Sequence, residues 1–176
     1  LAWTSSPSSD YDLDGCRDAG EDYDDDNDRI CDAAVSDGFW TCSQSLAEVD
    51  LCPMSAPSFF SIMSNDRDQD GCEDDVEDLD DDNDGFADLI DNCPHNAGTS
   101  DSGSKIGCTD WDGDGYADSV DEFPTEITQW SDFDGDGFGD EIGGFEGDSC
   151  IEVVGISLND RTGCLDTDRD GWSNPD

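Results

Sequence analysis

The chain has 176 residues, and its 49 Asp and Glu residues against 6 Lys and Arg give a formal net charge of −43. This charge excludes nucleic acid as a partner, because a polyanion repels phosphate, and it disfavours anionic membrane surfaces. Neighbouring carboxylates repel each other by about 1 kcal/mol in water and several-fold more at a protein surface, so a compact fold needs cations to neutralise them. Hydrophobic residues make up 33% of the chain and form only short clusters. No cluster reaches the roughly 20 apolar residues of a membrane span, and no single large core is expected.

Residues 1–9 form a Ser/Pro-rich lead-in that contains the sequence TSSPSS. A flexible linker is the simplest interpretation of this composition, and an O-glycosylated stalk is the alternative. The chain begins with Leu1 and no signal-peptide pattern follows, so we expect it to be a processed form or a segment of a longer protein.

The next part of the chain contains a duplicated unit. Residues 10–32 read DYDLDGCRDAGEDYDDDNDRICD, and residues 66–88 read DRDQDGCEDDVEDLDDDNDGFAD. Two loops of the pattern D-x-D-x-D-G-x-x-D-x-x-[DE] start in each unit, not all of them complete, and the pattern returns further along the chain. A repeat at this spacing predicts an architecture built from similar small units. The loops start at Asp10, Asp24, Asp66, Asp80, Asp110, Asp132 and Asp166.

The spacing of this pattern is typical of a calcium loop. Calcium takes six to eight oxygen ligands at about 2.3–2.6 Å, and acids at positions one, three and five bring three carboxylates to one point. Glycine at position six permits the sharp turn. Position seven then offers its backbone carbonyl, position nine an acid that often acts through water, and position twelve a bidentate carboxylate. Magnesium requires a stricter octahedron, so calcium is the predicted ion. The repeated loops predict about seven or more calcium ions, and no other cofactor is predicted.

The predicted metal ligands follow directly from the positions in the loops. They are, at position one, Asp10, Asp24, Asp66, Asp80, Asp110, Asp132 and Asp166; at three, Asp12, Asp26, Asp68, Asp82, Asp112, Asp134 and Asp168; at five, Asp14, Asp28, Asp70, Asp84, Asp114, Asp136 and Asp170; at seven, Cys16, Ile30, Cys72, Phe86, Tyr116, Phe138 and Trp172; at nine, Asp18, Asp32, Asp74, Asp88, Asp118, Asp140 and Asn174; and at twelve, Glu21, Glu77, Asp91 and Asp121.

Three of the loops depart from the pattern. The loop from Asp24 has Arg29 in place of glycine and Val35 at position twelve, and the loop from Asp132 has Gly143 at position twelve. The loop from Asp166 has an asparagine at position nine, and the chain stops before position twelve. The sequence alone leaves open whether these three loops bind metal.

Apolar residues recur at positions seven and eleven of most loops. An acidic, disordered tail is the alternative interpretation of the composition, but disorder predicts no fixed positions for glycine, cysteine or apolar residues. Residues four apart share one face of a helical turn. We therefore expect each loop to continue into a short helical turn that buries a two-residue apolar plug.

The segments 80–94 (DDDNDGFADLIDNCP) and 110–124 (DWDGDGYADSVDEFP) resemble thrombospondin type 3 repeats and the related D-x-D-x-D-G arrays of prokaryotic surface proteins. The resemblance covers the chain except for roughly residues 33–65 and 141–165. It implies little regular secondary structure, rows of calcium ions, bracing disulfides and a structural or adhesive role. Such repeats bind more than one ion each, which implies that Asp22 and Asp78 bridge neighbouring sites.

Two other classes of calcium loop fit less well. An EF-hand needs a helix on each side of its loop, yet the loops from Asp10 and Asp24 start only 14 residues apart. A dockerin-like docking module needs a helix after each loop, whereas the segment after Asp121 (EFPTEITQWSD) is short and contains a proline. Position eight also lacks the apolar residue that joins paired loops.

The nine cysteines contain no Cys-x-x-Cys pair, which favours disulfides over zinc and an extracellular or cell-surface location. Cys93 and Cys108 bracket a segment without a calcium loop, as do Cys150 and Cys164. Cys16 is left over, which suggests an intermolecular partner or a missing stretch of sequence. The hypothesised pairs are Cys31–Cys42, Cys52–Cys72, Cys93–Cys108 and Cys150–Cys164.

The predicted fold is a mostly irregular, calcium- and disulfide-organised elongated repeat array with short helical turns and few short strands. One such strand is predicted at 151–158 (IEVVGISL). The predicted segments are the lead-in 1–9, a loop pair with insert at 10–65, a loop pair with disulfide loop at 66–109, two loops at 110–149, and a disulfide loop with an incomplete calcium loop at 150–176.

We expect no enzymatic activity, because the acids serve collectively as ligands and the loops leave no open coordination position. The predicted function is an extracellular structural or adhesive repeat protein that contacts itself or other surface proteins. A further hypothesis is a surface filament whose subunits assemble head to tail. The alternative is an acidic calcium buffer or mineral-binding matrix protein, with many weak and independent sites.

Overall fold

The computed structural model describes residues 4–32, 42 and 49–175. Within these ranges there is no helix and no β-strand, and the chain runs through successive turns and bends. Gly139 and Gly147 form an isolated parallel bridge. The prediction of a mostly irregular fold is confirmed for this part of the chain. In the same residues no helix is long and apolar enough to cross a membrane.

The chain divides into two compact units. The first comprises Leu1–Asn83 and Ala87–Leu89, and the second comprises Asp84–Phe86 and Ile90–Asp176. The loops from Asp10, Asp24 and Asp66 belong to the first unit, and those from Asp110, Asp132 and Asp166 belong to the second. The division runs through the loop from Asp80.

The predicted helical turns occur only as single turns. Hydrogen bonds of the i to i+4 type join Glu21 N–H to the Arg17 carbonyl (3.2 Å), Glu77 N–H to Glu73 (3.2 Å) and Asp121 N–H to Ala117 (3.1 Å). Each bond links position twelve of a loop to position eight. The turns do not extend into helices because the flanking aspartates hydrogen-bond to nearby backbone N–H groups instead.

The predicted strand at 151–158 is wrong. The N–H groups of Ile156 and Ser157 both donate to the carbonyl of Cys164, at 3.0 and 3.2 Å. The N–H groups of Leu158 and Asn159 both donate to the carbonyl of Gly171, at 3.0 and 2.9 Å. Bonds that converge in pairs on single carbonyls cannot form a ladder, so the β-branched composition of this segment does not produce a strand.

The predicted apolar plug is also wrong. At position eleven Val76, Val120 and Ile142 are 70%, 40% and 65% exposed, while Ala34 lies outside the described residues. Half-cystines dominate the buried apolar side chains of the described ranges, which are Ile30, Cys31, Cys42, Phe59, Cys72, Cys108, Ala117 and Cys164. Cross-links and buried carboxylates therefore organise this fold more than apolar burial does.

All four hypothesised disulfides are confirmed. Their Cα–Cα distances are 5.0–5.3 Å, and the linked cysteines are 11–20 residues apart in sequence. Cys16 is free and exposed. In the chain-entropy view, a cross-link that closes about 15 residues stabilises a fold by roughly 3 kcal/mol. The disulfides thus supply much of the order that a small apolar core cannot.

Candidate metal-binding loops

The loops share one backbone frame. The N–H of position seven donates to the carboxylate of position five in all seven loops, at 2.6–3.0 Å. The N–H of position six donates to the carboxylate of position one in six loops, at 2.8–3.5 Å. These bonds curl the backbone around its own acidic side chains, as the spacing of the acids predicts.

Two positions in every loop take a positive φ. Position six does so at 87–100°, and Arg29 adopts this conformation (88°) where the other loops have glycine. Position four does so at 56–79°, including Leu13, Gln69 and Arg169. A left-handed conformation costs a non-glycine residue about 1–2 kcal/mol, so the rest of the loop must enforce it. The loop from Asp24 is therefore built like the others despite its arginine.

The acids at positions one, three and five converge. In the loop from Asp24, one carboxylate oxygen each of Asp24, Asp26 and Asp28 lies within 4.8 Å of the other two, and all three side chains are buried. The same convergence holds for Asp10, Asp12 and Asp14 and for Asp66, Asp68 and Asp70. Clusters of this kind could hold a metal ion.

Many of these carboxylate oxygens are buried without a hydrogen-bond donor among the described residues. They include one oxygen each of Asp10, Asp24, Asp28, Asp68, Asp112, Asp114 and Asp134. A buried, unpaired carboxylate destabilises a fold by several kcal/mol unless a cation or a donor compensates it. The donor set is all oxygen, which fits a hard cation.

Burial and mutual repulsion raise the pKa values of these groups. Burial and then the charge of Asp26 raise the pKa of Asp24 to about 7. The pKa of Asp28 is also raised to about 7, by burial first and then by Asp26. Burial and the charge of Asp70 raise the pKa of Asp68 to about 7. Without a cation these acids hold protons near neutral pH, and a bound cation would take the place of those protons.

Position nine closes the loop. Its side-chain oxygen accepts the N–H of position two in all seven loops, at 2.8–3.2 Å. In six of the loops its own N–H donates to the backbone carbonyl of the residue before the loop, for example from Asp118 to Thr109 at 2.9 Å. The sequence predicted a water-mediated ligand at this position. Loop closure explains why Asn174 is acceptable, since an amide oxygen accepts the same bond.

Position twelve holds a buried aspartate in two loops. Asp91 and Asp121 are buried, and one oxygen of each accepts the N–H of the residue two further on, at 2.6 and 2.7 Å. The second oxygen of each is buried and has no donor within the described part of the chain. We call an aspartate with this arrangement a closing aspartate.

Two other loops use the residue after position twelve. Glu21 and Glu77 are exposed, and the Glu77 carboxylate accepts a hydrogen bond from the Ser55 hydroxyl. The adjacent Asp22 and Asp78 accept the N–H groups of Asp24 and Asp80, at 3.2 and 3.0 Å. Each keeps its other oxygen buried without a described donor.

Charge interactions place Asp22 and Asp78 beside the acids of their own loops. Burial and the charges of Asp14 and Asp12 raise the pKa of Asp22. The charge of Asp78 contributes to the raised pKa of Asp68. Asp22 and Asp78 therefore have the arrangement of closing aspartates, and the adjacent Glu21 and Glu77 stay predicted ligands.

Three disulfides carry a common motif that the sequence analysis missed. In each of them, one cysteine ends an Asp-x-Cys segment and the other ends an x-Gly-Cys segment. The residue after the aspartate donates its backbone N–H to the carbonyl of the residue before the glycine. These bonds are Leu51 to Asp70 (2.8 Å), Asn92 to Ile106 (2.9 Å) and Ser149 to Thr162 (2.9 Å). The recurrence of Asp-x-Cys at 50–52, 91–93 and 148–150 was the signal available in the sequence.

No protein-family model matches the chain, and no curated protein is significantly similar to it. The functional inference therefore rests on the geometry of the loops.

Proposed function

We propose that this chain is an extracellular calcium-binding structural protein of the thrombospondin type 3-like kind, whose loops fold around the ions. One observation carries the proposal: seven loops repeat the same hydrogen-bonded frame around inward-turned acids, and buried oxygens of those acids lack donors in the described residues. The acids at positions one, three and five, the closing aspartate and the carbonyl of position seven are the proposed ligands.

Calcium suits this donor set better than magnesium does. The loops offer several carboxylates and a carbonyl in an irregular cage, which calcium accepts at six- to eight-fold coordination. Magnesium requires a near-ideal octahedron and retains several of its waters. Each calcium ion also cancels two of the 43 net negative charges. Metal binding and folding are then one linked equilibrium.

Two features support a structural or adhesive role outside the cell. The four disulfides suit an oxidising compartment. Large apolar side chains are exposed, including Leu79, Trp111 and Phe133, and we propose that they take part in contacts with other proteins. We propose that the repeats form an extended spacer, with contacts to other copies or to surface proteins. Head-to-tail assembly into a filament belongs to the same proposal.

Small-angle X-ray scattering and circular dichroism test the proposal, in calcium and then in excess chelator with the disulfides intact. We expect a rigid, elongated particle in calcium that expands and loses its ordered signal on chelation. Unchanged scattering and dichroism on chelation would refute it. The alternative function, an acidic buffer or mineral-binding matrix protein, predicts weak independent sites in a calcium titration and no cooperative transition.

A further inference from the structure

The loops from Asp24 and Asp132 have no acid at position twelve, yet the structure brings one to each of them. We propose that Asp50 completes the metal site of the loop from Asp24 and that Asp148 completes that of the loop from Asp132. This inference rests on the proposed metal-binding function and assigns two further ligands to it.

Asp121, at position twelve of the loop from Asp110, provides the reference geometry. Its N–H donates to the carbonyl of position eight, Ala117, at 3.1 Å. One carboxylate oxygen accepts the Phe123 N–H at 2.7 Å, and the other is buried with no donor in the described residues. After burial, the charges that raise the pKa of Asp121 most are those of Asp114 and Asp112, at positions five and three, followed by the charge of the aspartate at position nine.

Asp50 repeats this geometry in every respect. Its N–H donates to the carbonyl of position eight of the loop from Asp24, Cys31, at 3.0 Å. Its Oδ1 accepts the Cys52 N–H at 2.7 Å, and its Oδ2 is buried with no donor in the part of the chain described. The side chain is only 4% exposed. After burial, the charges that raise the pKa of Asp50 are those of Asp28 and Asp26, at positions five and three, and then that of position nine. The loop positions follow the same order as at Asp121.

Asp148 is the second instance. Its N–H donates to the carbonyl of Gly139, position eight of the loop from Asp132, at 2.7 Å. Its Oδ1 accepts the Cys150 N–H at 2.7 Å, and the side chain is 1% exposed. After burial, the charges that raise the pKa of Asp148 are those of Asp136 and Asp134, at positions five and three, followed by the charge of the aspartate at position nine.

The loop from Asp24 itself contains buried carboxylate oxygens that are unsatisfied. Asp24 Oδ1 and Asp28 Oδ2 belong to side chains that are 4% and 0% exposed, and neither oxygen has a donor among the described residues. Asp50 Oδ2 is a third buried oxygen without a described donor, and the charge of Asp28 acts on the Asp50 carboxylate. Water excluded from such a set cannot stabilise it, so a cation is the compensating group.

Backbone contacts show how an aspartate so far along the chain reaches this loop. Residues 33–49 lie between Asp32, at position nine, and Asp50. The Asp50 N–H joins the returning chain to Cys31 of the loop that starts at Asp24, at 3.0 Å, while the Cys52–Cys72 bond fixes the same segment to the loop that starts at Asp66. Gly71 leaves space for the carboxylate, because a Cβ there would lie 2.2 Å from Asp50 Oδ1. Gly163 does the same for Asp148, at 2.1 Å. Each insertion therefore preserves the site that it interrupts.

Counting bound calcium by native mass spectrometry and calorimetry, on the full disulfide-bonded chain, tests the assignment. We expect Asp50→Asn and Asp148→Asn each to lose one tightly bound ion, with that site weakened by at least about tenfold, since even outer-shell partners of a metal contribute 10–100-fold. Asp121→Asn is the positive control and loses one ion. Glu152→Gln, at an exposed glutamate outside the loops, is the negative control and loses none.

A double variant separates a lost ligand from a damaged fold. If Asp28 and Asp50 hold the same ion, Asp28→Asn/Asp50→Asn loses the same single ion as either single variant. Loss of a second ion in the double variant, or of several ions in Asp50→Asn, would overturn the assignment. So would full binding by Asp50→Asn and Asp148→Asn when Asp121→Asn loses its ion. A wild-type chain that binds no calcium would instead refute the proposed function.

Discussion

Gly71 and Gly15 occupy the same loop position with the same backbone conformation, and they differ in what lies beside them. Their φ angles are 92° and 100°. A Cβ at Gly71 would lie 2.2 Å from Asp50 Oδ1 and 2.6 Å from its Cγ, whereas a Cβ at Gly15 would meet nothing within 4 Å. Alanine at the two positions therefore separates backbone strain from the displacement of a proposed ligand.

We expect Gly15→Ala to destabilise the calcium-bound protein by about 1–2 kcal/mol, which is the cost of a left-handed non-glycine residue. Gly71→Ala has the same cost and must also displace the Asp50 carboxylate, which loses its hydrogen bond to Cys52. A lost hydrogen bond of a charged acceptor adds about 1.5–3 kcal/mol. The Gly71 variant should thus be the less stable of the two by about 2 kcal/mol, and it should lose one calcium ion.

Urea denaturation in saturating calcium, followed by circular dichroism, measures the stability difference, and native mass spectrometry counts the ions. Non-reducing peptide maps confirm that Cys52–Cys72 still forms in both variants. Equal destabilisation by the two alanines, with the same number of ions bound, would refute the reasoning that Gly71 exists to accommodate Asp50.

Two further predictions concern the protonation of the acids and the closure of the loops. In metal-free protein, burial raises the pKa of Asp24 to about 7 and that of Asp50 to about 8, against an ordinary value of 3.8. Because the folded-state pKa values are raised, their stabilising contribution is complete below about pH 4 and disappears as the pH rises through 7–8. The ordered dichroism signal of the metal-free chain should therefore weaken as the pH is raised from 5 to 9, and a signal that strengthens over this range would contradict these pKa shifts. At position nine, Asp118→Ala removes the acceptor of the Trp111 N–H (2.8 Å) and should lower the free energy of unfolding in calcium by about 1–2 kcal/mol. Asp118→Asn keeps an acceptor oxygen, as Asn174 does, and should cost less in the same titration; equal losses would show that charge, and not closure, matters at this position.

The sequence by itself determined what is local. The frame of each loop lies within nine residues, and its hydrogen bonds join residues two, five and seven apart, so the acid spacing was enough to predict it. The disulfide pairs were also predictable, because Cys93 and Cys108, like Cys150 and Cys164, bracket a short segment between loops, and the same rule extends to the neighbouring cysteines. The free cysteine, Cys16, followed by elimination.

Only the tertiary structure decided what depends on the path of the chain after each loop. A single turn after position eight gives Asp22 and Asp78 the arrangement of closing aspartates beside the acids of their loops. The same turns leave position eleven exposed, because the half-cystines and carboxylates already fill the small interior. Asp50 and Asp148 lie beyond insertions whose length hides their register from any fixed pattern. The N–H of Asp50 returns to Cys31 and that of Asp148 to Gly139, while Gly71 and Gly163 leave room for the two carboxylates, and those contacts exist only in three dimensions.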